Sequence, residues 1–158
     1  SYGLSNFAFH KRVYNCLLQM GNVGAPYDLY LKGLVSETQL EKYKLILYLA
    51  PFEMTLDDNA LIERLSNAGK FVVTEVFAEK LQEYCKQAKV HIYTDKTGVI
   101  YANNRYICLL AAEDDSYTLI MQRDCALQCF LTDEIYYTKD KKLTLNLRKN
   151  ESRFFRIL

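Results

Sequence analysis

Glu53 and Glu75 are the two side chains best placed for acid–base chemistry. They lie at or near the C-terminal ends of two apolar runs, KLILYLA at 44–50 and KFVVTEV at 70–76. In an open α/β sheet that edge is where ligands bind. Paired carboxylates are the equipment of glycoside hydrolysis, one acting as acid and the other as base or nucleophile. Phe52, beside Glu53, would add an apolar wall, so Phe52, Glu53 and Glu75 form the candidate cleft. No cluster of polar residues accompanies them, and acids are common in such turns. They read first as solvated loop acids, and no residue is assigned as catalytic.

Other chemistries find less. A nucleophile elbow needs Cys or Ser on a sharp strand-to-helix turn with His in reach. The turn after KLILYLA is Pro51-Phe52-Glu53-Met54, without either nucleophile, and Pro51 lacks the N–H an oxyanion hole would use. Cys125 and Cys129 have no zinc-ribbon spacing, and His10 and His91 are far apart in sequence, so no metal ligand set is assigned. His91, in VHIYT, reads as a strand residue at the surface or satisfied locally. Gly21-Asn22-Val23-Gly24 follows a helix rather than a strand, which makes it a helix end and not a phosphate cradle. No cofactor is expected. Of the 13 Tyr, Tyr43, Tyr48, Tyr84 and Tyr101 sit in core-like patterns. Tyr136-Tyr137 beside Lys139, Lys141 and Lys142 is the one exposed-looking aromatic–basic cluster, and reads as a solvated hairpin.

The composition limits the function classes. The chain has 158 residues, 20 Lys+Arg against 19 Asp+Glu, two Pro and six Gly. That balance gives no field to steer a polyanion, so nucleic acid is not expected as a partner. No apolar run is long enough for a membrane helix. Five Cys in no disulfide framework point to a reducing compartment. Ser1-Tyr2-Gly3-Leu4 has neither the basic start nor the apolar core of a secretory signal. The expectation is a cytoplasmic protein, with the missing initiator Met hinting at processing or excision from a longer chain.

Hydrophobic periodicity supplies the scaffold. Ser5 reads as the N-cap of a helix with Phe9, Val13, Cys16, Leu17 and Met20 on one face, ended by Gly21 and Gly24. Residues 25–31 read as a short extended segment. Ser36 and Gln39 have capping-box spacing for a helical turn through Glu41. Lys44–Ala50 is a strand without alternation, as in a parallel sheet covered on both faces. Thr55 caps a helix with Asp57 and Asp58 in its first turn and Leu61, Ile62 and Leu65 inward. Lys70–Val76 is the next strand. Residues 77–89 are a helix with Leu81, Tyr84, Cys85 and Ala88 inward.

The pattern changes near Val90. Residues 90–94, 99–101, 105–111, 117–121, 127–131, 143–147 and 154–158 read as short strands, with turns at Thr97-Gly98, Asn103-Asn104 and Glu113-Asp114-Asp115. The fold class expected is α/β plus all-β: a truncated flavodoxin-like open parallel sheet over 1–89, with a lead-in helix at 1–22, then a small antiparallel β-sandwich over 90–158.

One ordered set of motifs resembles a known family. Gly24-Ala25-Pro26-Tyr27-Asp28-Leu29-Tyr30, then Tyr43-Lys44-Leu45, then Ala68-Gly69-Lys70-Phe71-Val72-Val73, is similar to the amidotransferase-like domain that follows the catalytic barrel of β-galactosidase-type glycoside hydrolases. Val90-His91-Ile92-Tyr93, Val99–Arg105 and the close from Leu143 to Phe155 resemble that family's final β-sandwich. The likeness spans most of 21–158, although the stretch between Val76 and Val90 is shorter than the pattern. It implies a noncatalytic region that makes oligomer contacts or docks on a barrel of the same or a related protein, because the family's catalytic carboxylates lie in that barrel. The alternative is a free-standing module that binds carbohydrate or protein.

Overall fold

The computed structural model describes residues 2–49, 54–94 and 96–158, with side chains of the first helix from His10 onward. The chain forms two units, residues 1–20 with 28–90, and residues 21–27 with 91–158. Both α and β structure are present: a two-stranded parallel sheet with helices, and two antiparallel sheets.

The first unit opens with α1 (Tyr2–Met20). Its backbone is helical from Tyr2, so Ser5 lies inside the helix instead of capping it. Cys16 is buried, and Val13, Leu17 and Met20 are half-buried. Among the described side chains the packed stripe thus follows the 3.6-residue period, while the side chain of Phe9, its first expected member, lies outside the described residues. Residues 26–31 carry no strand, because the parallel sheet contains only β1 (Leu45–Leu47) and β2 (Phe71–Val73). Both strands are shorter than their apolar runs.

Helix α2 (Glu37–Leu40) starts at the Ser36 capping box. Helix α3 (Leu56–Asn67) starts at a second box, in which the Thr55 hydroxyl accepts the Asp58 N–H and the Asp58 carboxylate accepts the Thr55 N–H. Leu65 is buried, Leu61 and Ile62 half-buried, and Gly69 ends the helix at φ +79°. Such a left-handed terminus favours glycine. The expected helix at 77–89 divides into a 3-10 turn (Ala78–Lys80) and α4 (Leu81–Gln87), whose Leu81, Tyr84 and Cys85 are buried.

The second unit has a five-stranded sheet and a two-stranded sheet. The strands are β3 (Gly98–Ala102), β4 (Tyr106–Ala111), β5 (Asp115–Ile120), β6 (Ala126–Cys129), β7 (Ile135–Tyr137), β8 (Lys142–Leu147) and β9 (Ser152–Ile157). The larger sheet runs β3-β4-β9-β6-β7, and β5 pairs with β8. The last strand in sequence thus lies at the centre of the larger sheet. One core joins both sheets through Ile107, Leu109, Leu127 and Phe155 from the larger and Tyr117, Leu119 and Leu147 from the smaller. Fully burying an aliphatic or Phe side chain stabilises by about 1.5–3 kcal/mol.

Two sequence expectations change here. Residues 90–94 form no strand; the Tyr93 N–H donates singly to the Gly24 carbonyl at 2.7 Å, and the Tyr93 carbonyl accepts from the Ile120 N–H at 2.7 Å. Tyr101 is 68% exposed, because Ile100 takes the inward position and alternation turns its neighbour outward. The Tyr136-Tyr137 segment is β7, so its two rings face opposite ways. Tyr136 packs edge-on against Phe155 at 5.7 Å, while Tyr137 is exposed. The hairpin beyond it turns at Asp140 and Lys141, both with positive φ, and closes with a Lys139–Lys142 bridge. This is the backbone a two-residue hairpin loop demands.

Candidate functional site

Phe52 and Glu53 lie outside the described residues. Glu75 is exposed beyond the end of β2, where its backbone carbonyl accepts the Tyr84 hydroxyl at 3.4 Å. An open depression of about 200 Å³ beside α1 is lined by Lys11, Arg12, Asn15, Phe77, Ala78 and Glu79. Pockets that enclose small molecules are larger, roughly 300–1,000 Å³. Among the described residues no three His, Cys, Asp or Glu are grouped to hold a metal ion, and no helix is long and apolar enough to cross a membrane. His91 is satisfied locally: its Nε2 lies 2.7 Å from the Ile120 carbonyl and its ring meets Tyr93 edge-on. Burial pushes the thiols of Cys16, Cys85 and Cys108 up.

The first unit holds two polar clusters. Asp58, 5% exposed, accepts from four groups: Lys32 Nζ at 2.7 Å, Tyr48 Oη at 2.6 Å, and the Thr55 N–H and hydroxyl at 2.8 Å each. These donors, Lys32 first, then Tyr48 and the Thr55 backbone, hold its carboxyl well below the usual carboxylate range. The sequence reading placed Asp58 only as a first-turn acid. The Thr55-x-x-Asp58 spacing was the legible signal for its bonds to Thr55; Lys32 and Tyr48 come from other segments and had none.

A carboxyl with a depressed folded pKa stabilises the fold above its unfolded pKa, roughly 3.9, and that contribution is lost as pH falls toward the folded value. The first unit is therefore expected to lose stability as pH drops below about 4. Urea titrations followed by circular dichroism should show Asp58→Asn flattening that dependence; an unchanged slope would assign it to other carboxylates.

In the second cluster Asp28 accepts from the Tyr43 hydroxyl and from Lys42 Nζ at 3.3 Å, and Tyr30 Oη lies 2.8 Å from Tyr43 Oη. The Tyr43 hydrogen bond, then Lys42, lowers the Asp28 carboxyl. Burial and the neighbouring Asp28 raise the Tyr43 phenol. A phenol so raised stays protonated and is a poor proton donor, and its carboxylate partner is already engaged. The first cluster thus fastens Lys32 and Tyr48 to α3, and the second fastens Asp28 and Tyr30 to the residues just before β1, instead of presenting a free acid or base.

The outer face of the five-stranded sheet is an uncommitted surface with several exposed apolar side chains. Strand register sets its residues in rows. Tyr101 lies opposite Cys108 and Cys108 opposite Phe154, and the Phe130 N–H donates to the Phe154 carbonyl at 2.9 Å. The next row is Tyr106–Arg156–Gln128–Ile135. Phe130 and Phe154 stack with centroids 4.7 Å apart and planes 16° from parallel, and Tyr106 lies 5.8 Å from each. Phe130, Phe154, Ile135, Leu110 and Tyr137 are all exposed. The signal was present in β4, where Tyr106, Cys108 and Leu110 alternate with Ile107, Leu109 and Ala111. The outward positions of β4 are thus as apolar as its inward ones.

No protein-family model matches this sequence, and no curated protein matches it.

Proposed function

We propose that this chain is a noncatalytic accessory portion of a β-galactosidase-type glycoside hydrolase, making docking or oligomer contacts. Its first unit is read as a truncated amidotransferase-like sheet of flavodoxin-like kind, and its second as a small β-sandwich. The observation that carries the contact role is the exposed apolar outer face of the five-stranded sheet, since a contiguous patch of that kind marks an interaction surface. The family assignment rests on the resemblance of the ordered motifs. Support also comes from what those motif residues do: Gly24 closes a tight approach to Thr94, and Asp28 joins Tyr43, so both act in the scaffold.

The test is turnover of 4-nitrophenyl β-galactoside by the purified chain. No hydrolysis above the blank is expected, and Glu75→Gln should change nothing. Turnover abolished by Glu75→Gln would replace this reading with a compact hydrolase.

A further inference from the structure

We propose that the outer face of the five-stranded sheet docks an apolar protein surface that brings a carboxylate to Arg156, an inference that deepens the contact reading above and rests on it. Arg156 occupies the middle of the face. Tyr106 is its cross-strand partner on one side and Gln128 on the other, and Phe154 precedes it by two residues on the same strand. It is the only charged side chain of the two rows that the register defines, and no described acid pairs with it. Its neighbour on the inner side of the same strand, Arg153, is by contrast matched by Glu151 at 2.6 Å.

Charge complementarity selects the occupant. A partner that covers Tyr106, Phe130 and Phe154 also withdraws the guanidinium from water, and a desolvated charge needs an opposite charge with good geometry. A planar guanidinium meets a carboxylate through two parallel hydrogen bonds, so Asp or Glu is the matching group. A second copy packed face to face about a two-fold axis would bring Arg156 toward Arg156, and like charges disfavour that pairing. A sugar is disfavoured by ring orientation. Phe130 and Phe154 stack at a separation close to the strand spacing, roughly 4.7–4.9 Å, so their planes stand across the sheet and each hides one face of the other. That pair then offers ring edges to a ligand, whereas sugar stacking uses open faces.

The experiment uses the full chain and phage-displayed random dodecapeptides as the probe, selected in parallel on wild type, Arg156→Glu and the double variant Phe130→Ser/Phe154→Ser. All the substituted side chains are exposed, and circular dichroism melts will verify that each variant is folded. Peptides selected on wild type are expected to combine apolar residues with Asp or Glu, and to bind Arg156→Glu roughly tenfold more weakly, the scale of one close charge pair. Arg156→Glu should select Lys or Arg in place of the acid, and the double variant should select nothing above background. Peptides without acid preference, or the same peptides from wild type and Arg156→Glu, would overturn the proposal. So would retained binding by the double variant. A homodimer in sedimentation velocity that the double variant dissociates would give the face to a second copy. Amide shifts at Phe130 and Arg156 on adding galacto-oligosaccharides would give it to a sugar. None of these outcomes bears on the hydrolysis assay, which alone decides the noncatalytic reading.

Discussion

Gly24→Ala is expected to destabilise the second unit by about 2–5 kcal/mol, from two costs that act together. Gly24 has φ +78°, a region where an L side chain costs about 1–2 kcal/mol. A methyl group there would also stand 2.3 Å from the Thr94 carbonyl oxygen and 3.1 Å from Ile92 Cγ2. That oxygen is backbone, so relief requires the 21–27 turn to move away from 92–94, which stretches the bond from the Tyr93 N–H to the Gly24 carbonyl. Overpacking of that kind costs typically another 1–3 kcal/mol. Gly33 and Gly69 have nearly the same φ, +82° and +79°, but nothing within 4 Å of an added methyl. Gly33→Ala and Gly69→Ala should therefore cost only about 1–2 kcal/mol. The chain has no Trp, so urea unfolding is followed by circular dichroism and tyrosine emission. Equal losses at all three glycines would show that the close approach to Thr94 has no energetic role.

Tyr117→Phe tests the second unit from its core and should cost about 2 kcal/mol, the scale of leaving a buried polar group unpaired. The Tyr117 side chain is 1% exposed, yet its hydroxyl reaches the turn between β4 and β5. It accepts from the Ala112 and Glu113 N–H groups at 3.1 and 3.2 Å, and its one proton is shared between the Thr97 carbonyl at 3.0 Å and the Glu113 carbonyl at 3.2 Å. One oxygen thus satisfies two donors and ties residues 97 and 112–113 together. Phe keeps the ring packing and removes only that oxygen, so the loss reads the hydrogen bonds and not a cavity. A stability equal to wild type would mean that water takes the hydroxyl's place at no cost.

Both effects show where reading the sequence stops. Gly24 reads as a helix-ending glycine from its position, but the helix stops at Met20, and the left-handed φ of Gly24 belongs to the turn that follows. Its approach to Thr94 spans 70 residues and has no local trace. Tyr117 reads as a strand aromatic; alternation places it inward but says nothing of the carbonyls around its hydroxyl. The same limit separates the two rings of β7. Alternation puts Tyr136 and Tyr137 on opposite faces, but only the pairing of β6 with β9 brings Phe155 beneath Tyr136.

By itself the sequence determined what short-range bonds decide. The capping boxes at Ser36 and Thr55, the helix end at Gly69 and the alternation of Leu143, Leu145 and Leu147 are contacts between residues two to four apart, so residue type and spacing suffice for them. Tertiary structure alone decided that β9 lies between β4 and β6, that Lys32 and Tyr48 converge on Asp58, and that Phe130, Phe154 and Arg156 share one open face. Strand order and register are choices among pairings that satisfy the same apolar pattern equally well, and burial of the whole core resolves them.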